Sequence, residues 1–165
     1  MKIAFVDIQG FTVEGIFHPK ELSIEIGFKQ YHFLFTSAIP YNNLDEMDRK
    51  TVRYLERNVH GIQYTSGFVD HGQVNKILES NLLYSANYVY VRGNQKAEFL
   101  QRKCHELGHY PVIIDVSQYD DTNQATPKFE RTQDHCANHD NGRFNCTQEN
   151  VGILRCWFLN TILPK

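Results

Sequence analysis

Between Asp134 and Cys146 the chain reads DHCANHDNGRFNC, which gathers two cysteines, two histidines and two aspartates into one short stretch. Cys136-x-x-His139 followed by Cys146 has the spacing of metal ligands, because one turn can aim a thiolate and an imidazole at a common point. Two thiolates and one imidazole make three quarters of a tetrahedral zinc shell, and the nearby candidates for the fourth ligand are His135, Asp134, Asp140 and Glu149. The competing reading is two buried cysteines and a surface histidine around an Asn141-Gly142 turn. Cys104-His105 and His109 form a second group, but at the end of a predicted helix ordinary packing and a C-terminal histidine account for them better.

The elements that must position these residues follow from periodicity. Lys2–Gln9 is an apolar run closed by Gly10, and ELSIEIGF, Glu21–Phe28, alternates so that Leu22, Ile24 and Ile26 share a face. Gln30–Phe35 follows at once, which predicts a hairpin and three antiparallel strands. Helical spacing then places Leu44, Met47, Val52 and Leu55 on one side of a charged helix with Asn43 as N-cap. HGIQYTSGFVDHG reads as loop, and Asp70 caps a second helix carrying Val74, Ile77, Leu78 and Leu82. The strand Tyr88–Arg92, a helix over Gln95–Glu106, the strand Pro111–Val116, a polar loop over 117–132 and a last helix from about Asn145 to Asn160 complete the chain. Strands first, then alternating helix and strand, describe an α/β architecture with a mixed central sheet flanked by helices, in one domain over residues 1–165.

Composition narrows the function classes. Seventeen Lys plus Arg against 19 Asp plus Glu leave a formal charge of -2, which excludes nucleic-acid binding by bulk charge alone and leaves room for a local basic groove. No run is long enough for a membrane span, and the apolar start, broken by Asp7 and Gln9, does not read as a signal peptide. The expectation is an intracellular protein, cytoplasmic or nuclear, with its four cysteines reduced and Asn145-Cys146-Thr147 an accidental sequon.

PKELSIEIGF, with Glu21 after Pro19, resembles the segment of Maelstrom-type domains in which a glutamate opens a Glu-Cys-His-Cys zinc site. In that family a Cys-x-x-His pair and a later Cys at the final helix supply the other ligands, so the resemblance implies Glu21, Cys136, His139 and Cys146 around a structural Zn2+. Four protein ligands leave no open position, so such a metal would pin the last helix against the early strands. The resemblance also implies a ribonuclease-H-like three-layer fold, to whose order of elements this chain is similar.

The same superfamily includes DEDD-type exonucleases, which hold two divalent metals on four carboxylates. FVDIQGF resembles their opening motif, which makes Asp7 the candidate catalytic acid, but Gln9 stands where a glutamate belongs. Further along, Asn94, Lys96 and Glu98 fall where the family has a second acid, and Asn150 falls at the last. Neutral amides cannot hold a pair of dications, so a two-metal mechanism is not expected. What the resemblance implies instead is binding of RNA or single-stranded nucleic acid, with cleavage, if any, run by general acid–base groups and phosphate-stabilising cations. Arg92 and Lys96 are the candidate nucleic-acid contacts, and His60 and His71 sit where they could line a groove. Lys20, Arg102 and Lys103 add to the positive side, while the net charge favours a protein partner and a non-catalytic interaction module. A third reading binds Mg2+ or Mn2+ on Asp7, Glu21 and Asp115 as a 3'-to-5' exonuclease; Glu21 cannot serve both this centre and zinc.

Overall fold

Leu22, Ile24 and Ile26 are all buried in one apolar core, as their alternation requires, in the computed structural model that describes residues 1–119, 136–139 and 146–163. Their strand is β2 (Ile16–Ile26), which pairs antiparallel with β1 (Ile3–Val13) and β3 (Lys29–Leu34). Then come α1 (Glu46–Asn58), α2 (Val74–Leu78), β4 (Tyr88–Val91), α3 (Asn94–Leu107), β5 (Val112–Asp115) and α4 (Thr147–Thr161). The five strands lie in the order β3-β2-β1-β4-β5, with β4 parallel to β1 and β5 parallel to β4. The sheet is mixed, and its parallel half ends on one side of the molecule.

Gly10 does not end the first strand. It sits at a register shift after Gln9, and β1 bends there and continues through Phe11 and Val13. A Cβ at this position would lie 2.2 Å from the His18 carbonyl oxygen and 2.7 Å from the Phe17 ring, so only glycine allows the approach. Pro19 lies opposite this bulge, where a residue without an N–H is tolerated inside a sheet. The β1–β2 turn has positive φ at both Glu14 (52°) and Gly15 (75°), as a type I′ hairpin needs, and the β2–β3 turn opens on Gly27 at φ 61°.

Alternation along β1 divides the interior in two. Ala4, Val6 and Ile8 join the β2 residues with Val74, Leu78, Phe99, Leu100 and Cys104, which places α2 and α3 on one face. Phe5 turns the other way, to Tyr90, Val151, Leu154, Trp157 and Phe158, which places α4 on the opposite face. A third cluster of Phe11, Val13, Leu44, Val52 and Tyr64 seats α1 against the far end of β1. Among the described residues no helix is long and apolar enough to cross a membrane.

Two boundaries differ from expectation. Asp45 rather than Asn43 caps α1, because its Oδ1 accepts the Asp48 N–H at 2.7 Å, while Asn43 closes a separate 3-10 turn. Met47 is exposed, so Val52 is the one residue of α1 that is fully buried. Residues 117–119, expected to open the polar loop, belong to a 3-10 turn over Val116–Tyr119 held by Asp115; the rest of that loop lies outside the described residues.

Candidate metal centre and the buried Asp7 pair

β2 presents two unlike faces. Its α4 side carries Glu21, Ser23 and Glu25, all buried, and each has a partner on the helix. Glu21 Oε1 accepts the Thr147 N–H at 2.9 Å, Ser23 Oγ meets Thr147 Oγ1 at 2.7 Å, and Glu25 Oε1 takes Arg155 Nε at 2.6 Å. A helix whose first turn docks on a carboxylate is favoured by its free N–H groups as well as by its dipole.

Glu21 is also the hub of a cluster. One ligand atom each from Glu21, Cys136, His139 and Cys146 lies within 4.8 Å of every other. Glu21 Oε2 is 3.1 Å from His139 Nε2 and 3.4 Å from Cys136 Sγ, and the Cys136 N–H points to Cys146 Sγ at 3.5 Å. Ligand bonds of about 2.0–2.3 Å in a tetrahedron put neighbouring donor atoms about 3.3–3.8 Å apart, so this spacing needs only a small contraction around an ion. His139 Nδ1 donates to the His60 carbonyl, which fixes the tautomer and leaves Nε2 aimed into the cluster. Cys146 is the N-cap residue of α4, so an ion here would tie the helix start to β2. Two thiolates, an imidazole and a carboxylate are a donor set that zinc accepts.

The electrostatics are those of a site that gathers charge. Burial works against the Glu21 carboxylate, but His139, His32 and the Thr147 N–H outweigh it and hold its carboxyl well below the usual range. The Cys136 hydrogen bond lowers the Cys146 thiol against burial, with His139 assisting. Cys136 is pushed up by Cys146, by burial and by the Glu21 charge, and His139 rises to about 10 because Cys146 and Glu21 overcome its burial. A dication would take the place of the protons on Cys136 and His139.

No family model, curated protein or solved structure matches this chain. Its site residues therefore rest on their geometry.

Of the fourth-ligand candidates beside the cysteines, His135, Asp134 and Asp140 lie outside the described residues, as does the Asn141-Gly142 turn, and Glu149 is not in the cluster. His32 was not singled out from the sequence, yet its Nε2 is 3.2 Å from Glu21 Oε2 and 3.9 Å from Cys136 Sγ. The two-residue turn Gly27-Phe28 would have found it, because that turn sets His32 opposite Ser23 and on the Glu21 face. Cys104 and its neighbours form no such group. Cys104 is in the core with its thiol pushed up to about 11 by burial, His109 faces Glu79 at 3.3 Å, and the His105 ring meets Tyr110 edge-on.

Asp7 is fully buried on the α4 face. Strand register puts Phe5 beside Tyr90, so Asp7 lies just past the end of β4, where the sheet opens. Lys96, from the first turn of α3, reaches into that opening and pairs with Oδ1, and Asn150 Nδ2 from α4 donates to Oδ2 at 2.7 Å. Burial raises the Asp7 pKa, and Lys96 and Asn150 oppose it.

The grouping of Asp7, Glu21 and Asp115 around Mg2+ or Mn2+ is not assembled. Asp115 Oδ1 accepts the Gly93 N–H at 2.8 Å and the Ser117 N–H at 2.9 Å, tying the ends of β4 and β5. Glu21 belongs to the Cys and His cluster, which is the sole group of three or more metal-ligating side chains among the described residues.

Several expected groove residues have other roles. Lys20 is buried, with Nζ bound to the carbonyls of Tyr64 (2.7 Å) and Ser66, and burial lowers its pKa to about 8. His60 is 1% exposed and packs edge-on against Phe11, so it lines no groove. Arg92 is half-buried beside the end of β4, and Lys96 is the partner of Asp7. His71 pairs with His18, whose position after Phe17 gave no signal in the sequence.

Proposed function

We propose that this chain is a zinc-pinned, ribonuclease-H-like domain that binds RNA or single-stranded nucleic acid and does not use a two-metal DEDD centre. The observation that carries the reading is the occupant of the Asp7 opening: an ammonium and an amide stand against the carboxylate where a catalytic centre would need dications. The sheet order β3-β2-β1-β4-β5, with three antiparallel strands followed by two parallel ones, supports the ribonuclease-H-like fold. The Glu21, Cys136, His139 and Cys146 cluster supports the Maelstrom-type resemblance and a structural Zn2+.

In open α/β sheets ligands bind beyond the carboxyl ends of the parallel strands, where the strand order reverses. Here that place lies between β1 and β4, beside Arg92, Asn94 and Lys96. A backbone phosphate approaching it meets Arg92 and the Lys96 ammonium, which already faces Asp7, rather than four acids, and this suits binding better than hydrolysis. The experiment is fluorescence anisotropy with labelled single-stranded RNA and DNA at low and moderate salt, alongside incubation with Mg2+, Mn2+ or EDTA. Binding that weakens steeply with salt is expected. Absence of binding at low salt refutes the nucleic-acid reading, and cleavage abolished by both EDTA and Asp7→Asn refutes the reading of a degenerate centre.

A protein-docking role is the second reading, and one feature favours it. At the opposite end of the sheet a groove of about 650 Å3 is lined by Phe5, Phe158 and Leu159 together with Lys2, Lys29 and Arg155, and Phe28 is fully exposed on the hairpin tip beside it. Apolar surface of this kind marks interaction sites.

A further inference from the structure

The bulge at Gly10 has a second effect, on the α3 side of the sheet. It brings His18, paired with Phe11, beside the 3-10 turn that begins at His71, so that the two imidazoles sit edge to face with centroids 5.6 Å apart. They line an open cavity of about 550 Å3 whose α3 wall carries Arg102, Lys103 and Glu106. Two buried ring nitrogens, His18 Nε2 and His71 Nδ1, have no hydrogen-bond partner among the described residues. Buried polar atoms are almost always paired, so two orphans on residues that line one cavity leave hydrogen-bonding capacity unmet beside it. Burial lowers both histidine pKa values; at His18 Glu14 opposes it while Arg102 and Lys103 add to it, and at His71 His18 and Lys103 add to it while Asp70 opposes. The cavity thus offers two neutral imidazoles, able to act as N–H donors, next to a guanidinium and an ammonium. Glu106 is the counter-ion of both cations, at 2.9 Å from Lys103 Nζ and 3.9 Å from Arg102 Nε.

We propose that His18, His71, Arg102 and Lys103 form a phosphate-binding pocket, in which the incoming oxyanion takes the place of Glu106 beside Lys103. An oxyanion with several acceptor oxygens can satisfy imidazole N–H groups and a forked guanidinium together, which a halide or a single carboxylate oxygen does less well. The source of the phosphate rests on the nucleic-acid reading given above: on that reading it is a backbone phosphate of single-stranded RNA. Glu106 is the element that makes the site selective. Its side chain is about half exposed, so it can turn into water when a stronger anion arrives.

The test is titration of the intact protein with inorganic phosphate, and separately with a short single-stranded oligouridylate, following the imidazole NMR signals of His18 and His71. Phosphate moves both signals saturably. Lys103→Ala weakens the response about tenfold or more, the usual weight of one charge-assisted hydrogen bond. Glu106→Gln strengthens it several-fold, because Lys103 is then released from its internal partner. That gain is the discriminating result, since a merely structural role for Glu106 predicts loss or no change. Signals unmoved by phosphate, or a Glu106→Gln protein that binds phosphate no better, overturn the pocket even if RNA binds elsewhere. Phosphate that moves both signals in a protein to which oligouridylate does not bind upholds the pocket and refutes the nucleic-acid reading instead. Circular dichroism of each variant confirms that the fold is retained.

Discussion

Replacing Lys96 by methionine should destabilise the protein far more than replacing Asp7 by asparagine, although the two residues form one ion pair. The asymmetry follows from burial: the Asp7 side chain is 0% exposed, while that of Lys96 is 19% exposed and reaches water. Without Lys96 the carboxylate keeps the Asn150 amide and the Ile8 N–H, but no positive charge. A buried charge stripped of its partner costs about 3–5 kcal/mol. Protonation limits the damage, since a carboxyl with an ordinary value of 3.8 takes a proton at pH 7 for about 4 kcal/mol at 1.36 kcal/mol per unit. The expected loss for Lys96→Met is therefore about 3–4 kcal/mol, and for Asp7→Asn about 1 kcal/mol or less, because the lysine can turn outward. The double variant should sit near Asp7→Asn, a non-additivity of about 3 kcal/mol. A folded pKa raised above the unfolded one gives stability that is complete below the unfolded value and is lost as pH rises through the folded one. The deficit of Lys96→Met should accordingly shrink as pH falls toward 4. Urea denaturation of the four proteins at pH 7 and pH 4.5 measures all of this. Equal losses in the single variants, or a double variant whose loss is their sum, would refute Lys96 as the resident cation of the Asp7 opening.

Three further outcomes are expected. Cys136→Ser should abolish stoichiometric zinc, whereas His32→Ala should keep one zinc but lower its affinity about 10–100-fold, as for an outer-shell partner; metal analysis and competition with a chelator separate the two. Glu14→Asn should stabilise by about 1 kcal/mol, because Glu14 is the one non-glycine residue at positive φ among the described residues and its side chain fits that region less well; thermal melting detects this as a rise of a few degrees. His60 is buried with its pKa lowered to about 4, so the unfolded chain binds its proton first, and stability falls as pH drops from about 6.5 toward 4; in His60→Gln that part of the acid loss should disappear from a pH series of urea midpoints.

Much of the architecture was readable because each signal was local. The alternation of Leu22, Ile24 and Ile26, the helical spacing of Val151, Leu154, Trp157 and Phe158, and the side-chain cap at Asp70, which serves the 3-10 turn His71–Gln73 rather than α2 itself, all act within a few residues. The bulge was not readable, since Gly10 looks like a strand end until Phe17 and His18 are placed against it. The cluster was half readable. Cys136, His139 and Cys146 announced themselves by spacing, but Glu21 lies more than a hundred residues away and entered only through a family resemblance. His32 needed the hairpin register, and the His18–His71 pair needed the bulge as well, so side chains that meet only through strand pairing stayed invisible. Lys20 misled for the opposite reason: a lysine in a strand reads as surface charge, yet here three oxygen partners bury it.

The first turn of α4 links the two polar centres on its face of the sheet. Cys146 caps the helix, the Thr147 N–H docks on Glu21, and Asn150, one turn on, reaches Asp7. On β1 and β2 the matching residues are Asp7 opposite Ser23, and Gln9 opposite Glu21. A carboxylate at the half-buried Gln9 position would lie across the ladder from the buried Glu21, and two adjacent anions there would need a dication between them or a raised pKa. Glutamine removes that conflict and frees Glu21 to serve thiols, an imidazole and a helix N-terminus. The same logic applies at Asn150, where a neutral amide can donate to Asp7 but an aspartate would repel it. The neutral Gln9 and Asn150 therefore suit an arrangement in which one buried carboxylate faces the Cys and His groups and the other faces Lys96.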